Sequence, residues 1–170
     1  MRLSGEILIG ETALQSRVEA LARAIAADTR EGDVLSVIAL MDGAFMFCAD
    51  LVRRLPMPVR LALVPIRSIE RGGDPEAIAV PADFPLEGAD VLVIEDILDS
   101  GRTLHALKSH ILGRNPARLR IAVLLDKPFR RAVPLTADYV GFQVPDRWIV
   151  GYGLDVDGLY RNLPYVSFVE

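Results

Sequence analysis

Hydrophobic residues lie along the chain in short, nearly unbroken runs, each about the length of a β-strand. The run at 34–41 (VLSVIALM) does not alternate with polar residues, which is typical of a strand that is buried on both faces. Three runs of similar character and two shorter ones follow it. The pattern therefore predicts strands at residues 34–41, 59–66, 91–96, 119–125, 139–144 and 148–154.

Segments with helical spacing separate these strands. A capping box, TALQ at 12–15, is predicted to open the first helix, and Gly32 with Asp33 ends it. Within that helix the apolar residues recur at helical spacing: Leu14, Val18, Leu21 and Ile25. Further helices are predicted over 44–55 and 103–112. Alternation of strands and helices predicts an α/β fold, a parallel twisted sheet flanked by helices, with ligands at the carboxyl ends of the strands.

Composition narrows the class of protein. At 170 residues, 51% of them hydrophobic, the chain is long enough to form one domain with its own core. No apolar run reaches the length of a membrane span, and the N-terminus lacks the features of a secretory signal peptide. The single cysteine, Cys48, lies among apolar residues and is interpreted as a buried hydrophobe. These features predict a cytoplasmic globular protein of one domain, residues 1–170, with no membrane partner.

The charge balance bears on the choice of partner. A net charge of −4 results from 19 basic and 23 acidic residues. Because nucleic-acid-binding proteins usually carry a basic surplus or stripe, this balance argues against a nucleic-acid partner. Basic residues nevertheless cluster at 67–71 and 127–131, so a small anionic ligand remains compatible with an acidic protein.

The stretch VLVIEDILDSGRT, residues 91–103, contains a group of residues that could bind a ligand. Its second half, from Asp99 to Thr103, is a Gly-containing turn that leads into a helix, so unpaired backbone N–H groups face solvent there. The hydroxyls of Ser100 and Thr103 add donors, and Gly101 lets the backbone approach a ligand closely. These features suit a phosphate monoester. The alternative is an ordinary helix start that Asp99 or Ser100 caps.

The first half of the stretch ends the predicted strand in two carboxylates, Glu95 and Asp96. They can accept hydrogen bonds from vicinal hydroxyls or hold Mg²⁺ together with phosphate oxygens, although solvated loop residues would look the same. Taken together, the two halves resemble the 5-phosphoribosyl 1-pyrophosphate (PRPP) signature of type I phosphoribosyltransferases. The match is nearly continuous over 91–104, with Ser100 where that family more often has Thr.

Other segments narrow the resemblance to the hypoxanthine-guanine phosphoribosyltransferases. Residues 39–51 are similar to that family's pyrophosphate loop, and residues 124–128 to its purine-contacting lysine segment. Residues 140–155 are similar to its purine pocket, and residues 157–166 to the end of its chain. The resemblance implies the type I phosphoribosyltransferase fold. Its core would span about 11–140, and a small hood would be built from about 1–10 and 141–170.

The resemblance also implies roles for individual residues in the transfer of phosphoribose from PRPP to a 6-oxopurine in purine salvage. Asp99 would be the catalytic general base. The ribose-phosphate group would be bound by Glu95, Asp96, Asp99, Ser100, Gly101, Arg102 and Thr103. Pyrophosphate would be bound by Asp42, Gly43 and Arg161, and the purine by Lys127, Trp148, Ile149 and Asp155. The Mg²⁺ cofactor would be held by Glu95, Asp96 and Asp155.

Three of these roles compete with simpler interpretations. The Lys127 ammonium would donate a hydrogen bond to the purine 6-oxo group. It would select oxo over amino purines, because an ammonium has no lone pair to accept a hydrogen bond from an amino group; the simpler interpretation is a surface lysine. Trp148 would stack on the purine; otherwise it is a core tryptophan. Asp155 would lie near Mg²⁺; otherwise it belongs to a turn.

Two departures from the family pattern affect PRPP binding. Asp42 stands where the family commonly has Lys or Arg, and a carboxylate beside pyrophosphate is unfavourable unless it points away or meets a metal. The loop 67–88, rich in Gly and Pro, would close as a lid, but Ser68 is followed by Ile69 where the family usually has Tyr.

Two alternative functions stay open on the sequence. One is a phosphoribosyltransferase for another base, against which Lys127 argues. The other is a nucleotide-sensing regulatory protein on the same fold, against which the acidic charge balance argues. The resemblance further implies a homodimer or homotetramer.

Overall fold

The computed structural model describes residues 2–65 and 80–170, and the elements alternate as the hydrophobic pattern predicts. In chain order the elements are β1 (Leu3–Ile9), α1 (Glu11–Ala27), β2 (Leu35–Met41), α2 (Phe45–Val52), β3 (Val59–Pro65), β4 (Asp90–Leu98), α3 (Arg102–Leu112), β5 (Arg118–Asp126), a short 3-10 helix (Pro128–Arg130), β6 (Tyr139–Gln143), β7 (Ile149–Val150) and β8 (Val166–Val169). The predicted lid, residues 67–88 with Ser68 and Ile69, lies largely outside the described residues.

Five strands form the central sheet in the order β3-β2-β4-β5-β6, and every neighbouring pair is parallel. From β2 the chain continues outward to β3 on one side, whereas from β4 it continues outward through β5 to β6 on the other side. The order of strands therefore reverses between β2 and β4. In open α/β sheets a crevice for ligands forms at this point, at the carboxyl ends of the strands.

The strands that flank this crevice differ in length. Pairing between β2 and β4 ends at Ala39 and Ile94, but β4 continues beside β5 until Leu98 pairs with Asp126. The sequence-based prediction ended this strand at residue 96 and was wrong at that end, because two apolar residues after the carboxylates continue the ladder with β5. Glu95 and Asp96 thus lie within a strand that has lost its neighbour on the β2 side.

Both faces of the sheet are covered by helices, which explains the unbroken apolar runs. One core lies between the sheet and the pair α1 and α2, and a second lies against α3. All four apolar residues predicted to face the core from the first helix are buried: Leu14, Val18, Leu21 and Ile25. Cys48 is 2% exposed, so its interpretation as a buried hydrophobe is confirmed, and burial raises the pKa of its thiol to about 11.

The helix ends correct three details of the sequence analysis. Helix α1 begins at Glu11 after Gly10, without a side-chain cap, so the capping box at 12–15 is wrong. The same helix ends at Ala27, well before Gly32. Helix α2 covers only 45–52 of the predicted 44–55, because Arg53 already forms its C-terminal cap.

A second, antiparallel sheet has the order β1-β8-β7 and joins the two ends of the chain. Its strand β7 spans only two residues of the predicted strand 148–154. The reason is that Gly151, Tyr152 and Gly153 all have positive φ, at 98°, 50° and 104°, which ends an extended strand. This turn packs on the loop after β2, since a Cβ on Gly153 would lie 2.1 Å from the carbonyl oxygen of Gly43.

Within the two described ranges, 2–65 and 80–170, no helix combines the length and apolar character needed to span a membrane.

Candidate active site

A cavity of about 510 Å³ opens at the carboxyl ends of β2, β4 and β5. Its wall includes every candidate site residue from the sequence analysis except Arg102, whose side chain is exposed at the start of α3. The candidates that line it are Asp42, Gly43, Glu95, Asp96, Asp99, Ser100, Gly101, Thr103, Lys127, Trp148, Ile149, Asp155 and Arg161. The fold thus brings together residues that are up to 119 positions apart in the chain (42 to 161).

The first wall of the cavity is the turn between β4 and α3. Gly101 is the residue that precedes the helix, and its φ of 79° is one that favours glycine. The residue at the cap position, Gly101, has no side chain, but the Ser100 hydroxyl accepts the Arg102 N–H at 3.4 Å, so the simpler interpretation of a helix start served by Ser100 holds in part. The other backbone N–H groups of the first helical turn keep their capacity to bind an anion.

The cavity floor contains two carboxyl groups in an unfavourable setting. Burial raises the pKa of Glu95 well above its usual range, and the adjacent Asp96 carboxylate raises it further. Burial also raises the pKa of Asp96 to about 6, although the Ile97 N–H donates to Asp96 Oδ1 at 2.7 Å and Arg161 is nearby. Both groups are costly to keep ionised without a partner, so they suit ligand hydroxyls or a cation.

The loop after β2 forms the second wall and comes very close to this floor. A Cβ on Gly43 would lie 1.6 Å from Asp96 Oδ2, so only glycine leaves room for the carboxylate there. The Asp42 side chain is 78% exposed, and its Oδ2 lies 4.0 Å from Arg161 Nη2. An exposed carboxylate in this position remains solvated in the ligand-free protein.

Arg161 and Asp155 form a fixed corner of the cavity. Arg161 donates to the Gly153 carbonyl at 2.7 Å and pairs with Asp155 Oδ1 at 2.9 Å. The other oxygen, Asp155 Oδ2, accepts the Gly158 N–H at 2.7 Å. Asp155 is therefore a turn residue, as the simpler interpretation holds, and at the same time a cavity residue that orients Arg161.

The third wall presents an ammonium group and an aromatic ring. Lys127 is only 8% exposed, and its Nζ donates to the Arg147 carbonyl at 2.8 Å, so it is not a surface lysine. Trp148 is 66% exposed, so it is not a core tryptophan either. A buried donor beside an open aromatic face suits a flat heterocycle that carries an acceptor.

Asp99 lies between these walls and is held by a residue that the sequence analysis did not single out. Arg130 Nε is 2.9 Å from Asp99 Oδ1, and Arg130 Nη1 is 3.6 Å from Asp146 Oδ1. Arg130 and its neighbour Arg131 belong to the basic cluster at 127–131. That cluster was the available signal, but only the fold brings it against the turn after β4.

Three carboxylates were predicted to hold a metal: Glu95, Asp96 and Asp155. Among the residues that the structure describes, no group of three or more His, Cys, Asp or Glu side chains is arranged to hold an ion. The hard oxygen donors fit a divalent cation, but ligand oxygens would have to complete its coordination.

A larger cavity, of about 830 Å³, lies at the amino ends of the strands. Two of the acids in its wall are already engaged, since Asp28 accepts from the Tyr139 hydroxyl and Asp90 pairs with Arg118 and Arg120. Volume alone does not identify the active site, because the chemically matched groups lie at the carboxyl ends.

Replacement of Asp96 by Asn tests the electrostatics of the floor. Because the folded-state pKa is raised, the folded protein binds a proton between about pH 4 and 6 that the unfolded chain has lost, and stability from this group falls as pH rises through that window. The ligand-free Asp96→Asn variant should therefore melt at a higher temperature than wild type at pH 7, with a smaller difference at pH 4.5. A variant that is less stable at pH 7 would contradict the burial of an ionised Asp96.

Comparisons with known proteins show the family. A family model described as "Phosphoribosyl transferase domain" matches residues 10–157. The hypoxanthine phosphoribosyltransferase of Salmonella typhimurium is 37% identical over 173 residues, and the match covers 99% of this chain and 97% of that protein. The hypoxanthine-guanine phosphoribosyltransferase of Aquifex aeolicus is 38% identical over 168 residues, and the match covers 97% of this chain and 94% of that protein.

The fold matches as well as the sequence. A crystal structure of a hypoxanthine-guanine phosphoribosyltransferase from Bacillus anthracis superposes with a TM-score of 0.91 at 42% identity, and the match covers 99% of this chain and 100% of that chain. The parallel sheet flanked by helices, inferred from hydrophobic patterning, is thereby confirmed as the fold of these enzymes. Since the family model and the relatives match nearly the whole length, the chain belongs to the phosphoribosyltransferase family.

Proposed function

We propose that this protein transfers the 5-phosphoribosyl group of PRPP to a 6-oxopurine, hypoxanthine or guanine, and so forms IMP or GMP and pyrophosphate in purine salvage. The observation that supports this most strongly is the pairing of a glycine-led helix start with a buried ammonium group across one cavity. The first suits a phosphate and the second an oxo group, with carboxyls for ribose hydroxyls between them. The relatives' names point to the same reaction.

The ribose-phosphate half of the substrate would lie on the first wall and the floor. The N–H groups from Ser100 to Thr103 and the hydroxyls of Ser100 and Thr103 would hold the 5-phosphate. Glu95 and Asp96 would accept hydrogen bonds from the two ribose hydroxyls, which relieves the cost of burying these acids. Arg102 would contribute only its backbone N–H group.

The purine would lie on the third wall. Lys127 would exchange the Arg147 carbonyl for the purine 6-oxo oxygen, and an amino group at that position would leave the ammonium without an acceptor. Trp148 would stack on the exposed face of the base, and Ile149, which is 5% exposed, would meet its edge through backbone groups. This preference separates the proposed function from a phosphoribosyltransferase for a 6-aminopurine.

In the reaction, purine N9 would form a bond with C1 of the ribose while the bond from C1 to the pyrophosphate oxygen breaks. Asp99 would take the proton that the purine releases, after its carboxylate leaves Arg130. Arg161 would donate to the departing pyrophosphate as a planar multi-donor cation, which Asp155 and the Gly153 carbonyl keep in orientation.

A divalent cation such as Mg²⁺ fits the oxygen-rich floor and would be held by Glu95 and Asp96, with Asp155 at its edge. When bound, it would neutralise charge on the pyrophosphate group. Because Asp155 already accepts from Arg161 and Gly158, most of the remaining ligands would be substrate oxygens.

The chain would act as one domain, 1–170, in which the antiparallel sheet serves as the hood. It holds the purine wall in place through Arg147, whose guanidinium lies 3.5 Å from the centre of the Phe168 ring and 3.2 Å from the Glu6 carboxylate. A cytoplasmic location stays a prediction from the sequence.

A homodimer or homotetramer is supported by the outer edge of the central sheet. On β3, Leu61 and Leu63 are 44% and 49% exposed, and they pair in register with Val37 and Ala39 of β2, which are buried. The apolar face that α2 covers on β2 thus continues onto the edge strand, where none of the described helices covers it and a second copy would.

The proposed function is tested by incubating the purified protein with PRPP, Mg²⁺ and a panel of bases, with mass spectrometry of the products. We expect nucleoside 5′-monophosphates from hypoxanthine or guanine, none from adenine or uracil, and none when EDTA removes the cation. Product from adenine at a comparable rate would contradict the assignment of Lys127, and product from no base would contradict the function.

Replacement of Lys127 by Ala tests the purine wall separately. Loss of a charged hydrogen bond should raise the KM for the 6-oxopurine by roughly tenfold to a hundredfold. The affinity for PRPP should change by less than about threefold, because Lys127 lies outside the phosphate wall. The matched control is Lys108→Ala, since Lys108 is the only other lysine in the chain and does not line the cavity. Equal losses for both substrates would contradict the role.

A further inference from the structure

The turn between β4 and α3, which contains Asp99, is hydrogen-bonded to the segment that follows β5. The Lys127 N–H donates to the Leu98 carbonyl at 3.0 Å, and the Ala132 N–H donates to the Ser100 carbonyl at 2.9 Å. Between these two backbone bonds lies Arg131. The carboxyl ends of β4 and β5 are thus held together beyond their last paired residues.

Arg131 makes more hydrogen bonds between these two segments than any single backbone group does. Its Nη1 donates to the Leu98 carbonyl at 3.0 Å and also to the Asp99 carbonyl, and its Nη2 pairs with Asp126. The side chains of Arg131 and Asp126 are only 16% and 11% exposed. One guanidinium therefore holds two consecutive carbonyls of the turn, and the charge that it brings is balanced by Asp126.

These bonds determine which way the peptide groups of the turn face. A trans peptide is planar, and its C=O and N–H point in opposite directions. Since the carbonyls of Leu98, Asp99 and Ser100 are held on the Arg131 side, the N–H groups of Asp99, Ser100 and Gly101 face the other side. Those three residues line the cavity.

The aliphatic part of Arg131 also supports Gly101 from beneath. A Cβ on Gly101 would lie 3.2 Å from Arg131 Cδ and 3.2 Å from Val133 Cγ2. Arg131 thus sets the direction of the Asp99 and Ser100 N–H groups, the Ala132 N–H sets that of Gly101, and the Arg131 side chain also supports the residue from which α3 starts.

We propose that Arg131 is a positioning residue that holds the phosphate-binding backbone ready before the substrate arrives. It acts through the carbonyls of Leu98 and Asp99 and does not line the cavity. A backbone that needs no rearrangement on binding loses less affinity to ordering, so the gain appears only for ligands that carry the 5-phosphate. This inference rests on the proposed function, because the phosphate in question is that of the nucleotide.

The test compares GMP with guanosine, which differ only in the 5-phosphate, by calorimetric titration of the whole protein. In wild type GMP should bind much more tightly than guanosine. Arg131→Gln should lower the ratio of the two affinities by about tenfold, while guanosine affinity changes by less than about threefold. Arg131→Lys keeps the charge beside Asp126 but cannot hold both carbonyls, so it should lower the ratio as well and serves if the Gln variant does not fold.

Two control variants separate positioning from other effects. Arg17→Gln removes a guanidinium that also holds two backbone carbonyls, those of Gly141 at 2.8 Å and Val140 at 2.6 Å, but away from the cavity. Its affinity ratio should equal that of wild type. Arg130→Gln removes one positive charge from the cavity wall without touching these carbonyls, and its ratio should fall by less than about threefold.

The outcomes are distinct. An unchanged ratio in both Arg131 variants, or an equal fall in Arg130→Gln, would overturn the proposal, because held carbonyls would then not be the cause. If wild type itself does not prefer GMP over guanosine, the proposed function fails instead.

Discussion

The site depends on where strand pairing stops between β2 and β4. These neighbours share hydrogen bonds only as far as Ala39 and Ile94, while β4 runs on beside β5 to Leu98. The unpaired side of the last four residues of β4 forms the edge of the crevice. Because β2 turns away there, its loop reaches across with Gly43, and the Asp96 carboxylate occupies the space that a side chain on Gly43 would fill. The cavity is therefore a product of sheet topology.

The second constraint is electrostatic. The crevice places two carboxyls where water is scarce, and their raised pKa values record that cost. Two arginines of the cavity wall are each held by a carboxylate, Arg161 by Asp155 and Arg130 by Asp99, and Arg131 behind the wall is held by Asp126. The ligand-free protein thus holds its charged groups in internal pairs, and a substrate with phosphates and hydroxyls offers partners for the floor and the rim alike.

Much of this was predictable from the sequence, for physical reasons. Unbroken apolar runs identify strands that are covered on both faces, and the turn after β4 carries its chemistry in neighbouring residues. The family resemblance supplied the distant partners, such as Lys127 and Arg161, and the fold brings both to the same cavity.

The remaining features depend on contacts that no local pattern encodes. Strand β1 was not predicted, because its partner β8 lies at the other end of the chain and Gly5, with a φ of 77°, interrupts its alternation. The capping box failed because Gly10 already starts α1. Arg131 looked like one member of a basic cluster, and only the approach of β5 to β4 gives it two carbonyls to hold.

If the proposed function is correct, one cavity binds a phosphate at the start of α3 and a 6-oxopurine at Lys127. A crystal structure of the protein with GMP tests it most directly. We expect the phosphate to lie against the N–H groups of residues 100–103, and Lys127 Nζ to have left the Arg147 carbonyl for the guanine oxygen. A phosphate bound elsewhere, or a guanine without contact to Lys127, would contradict it.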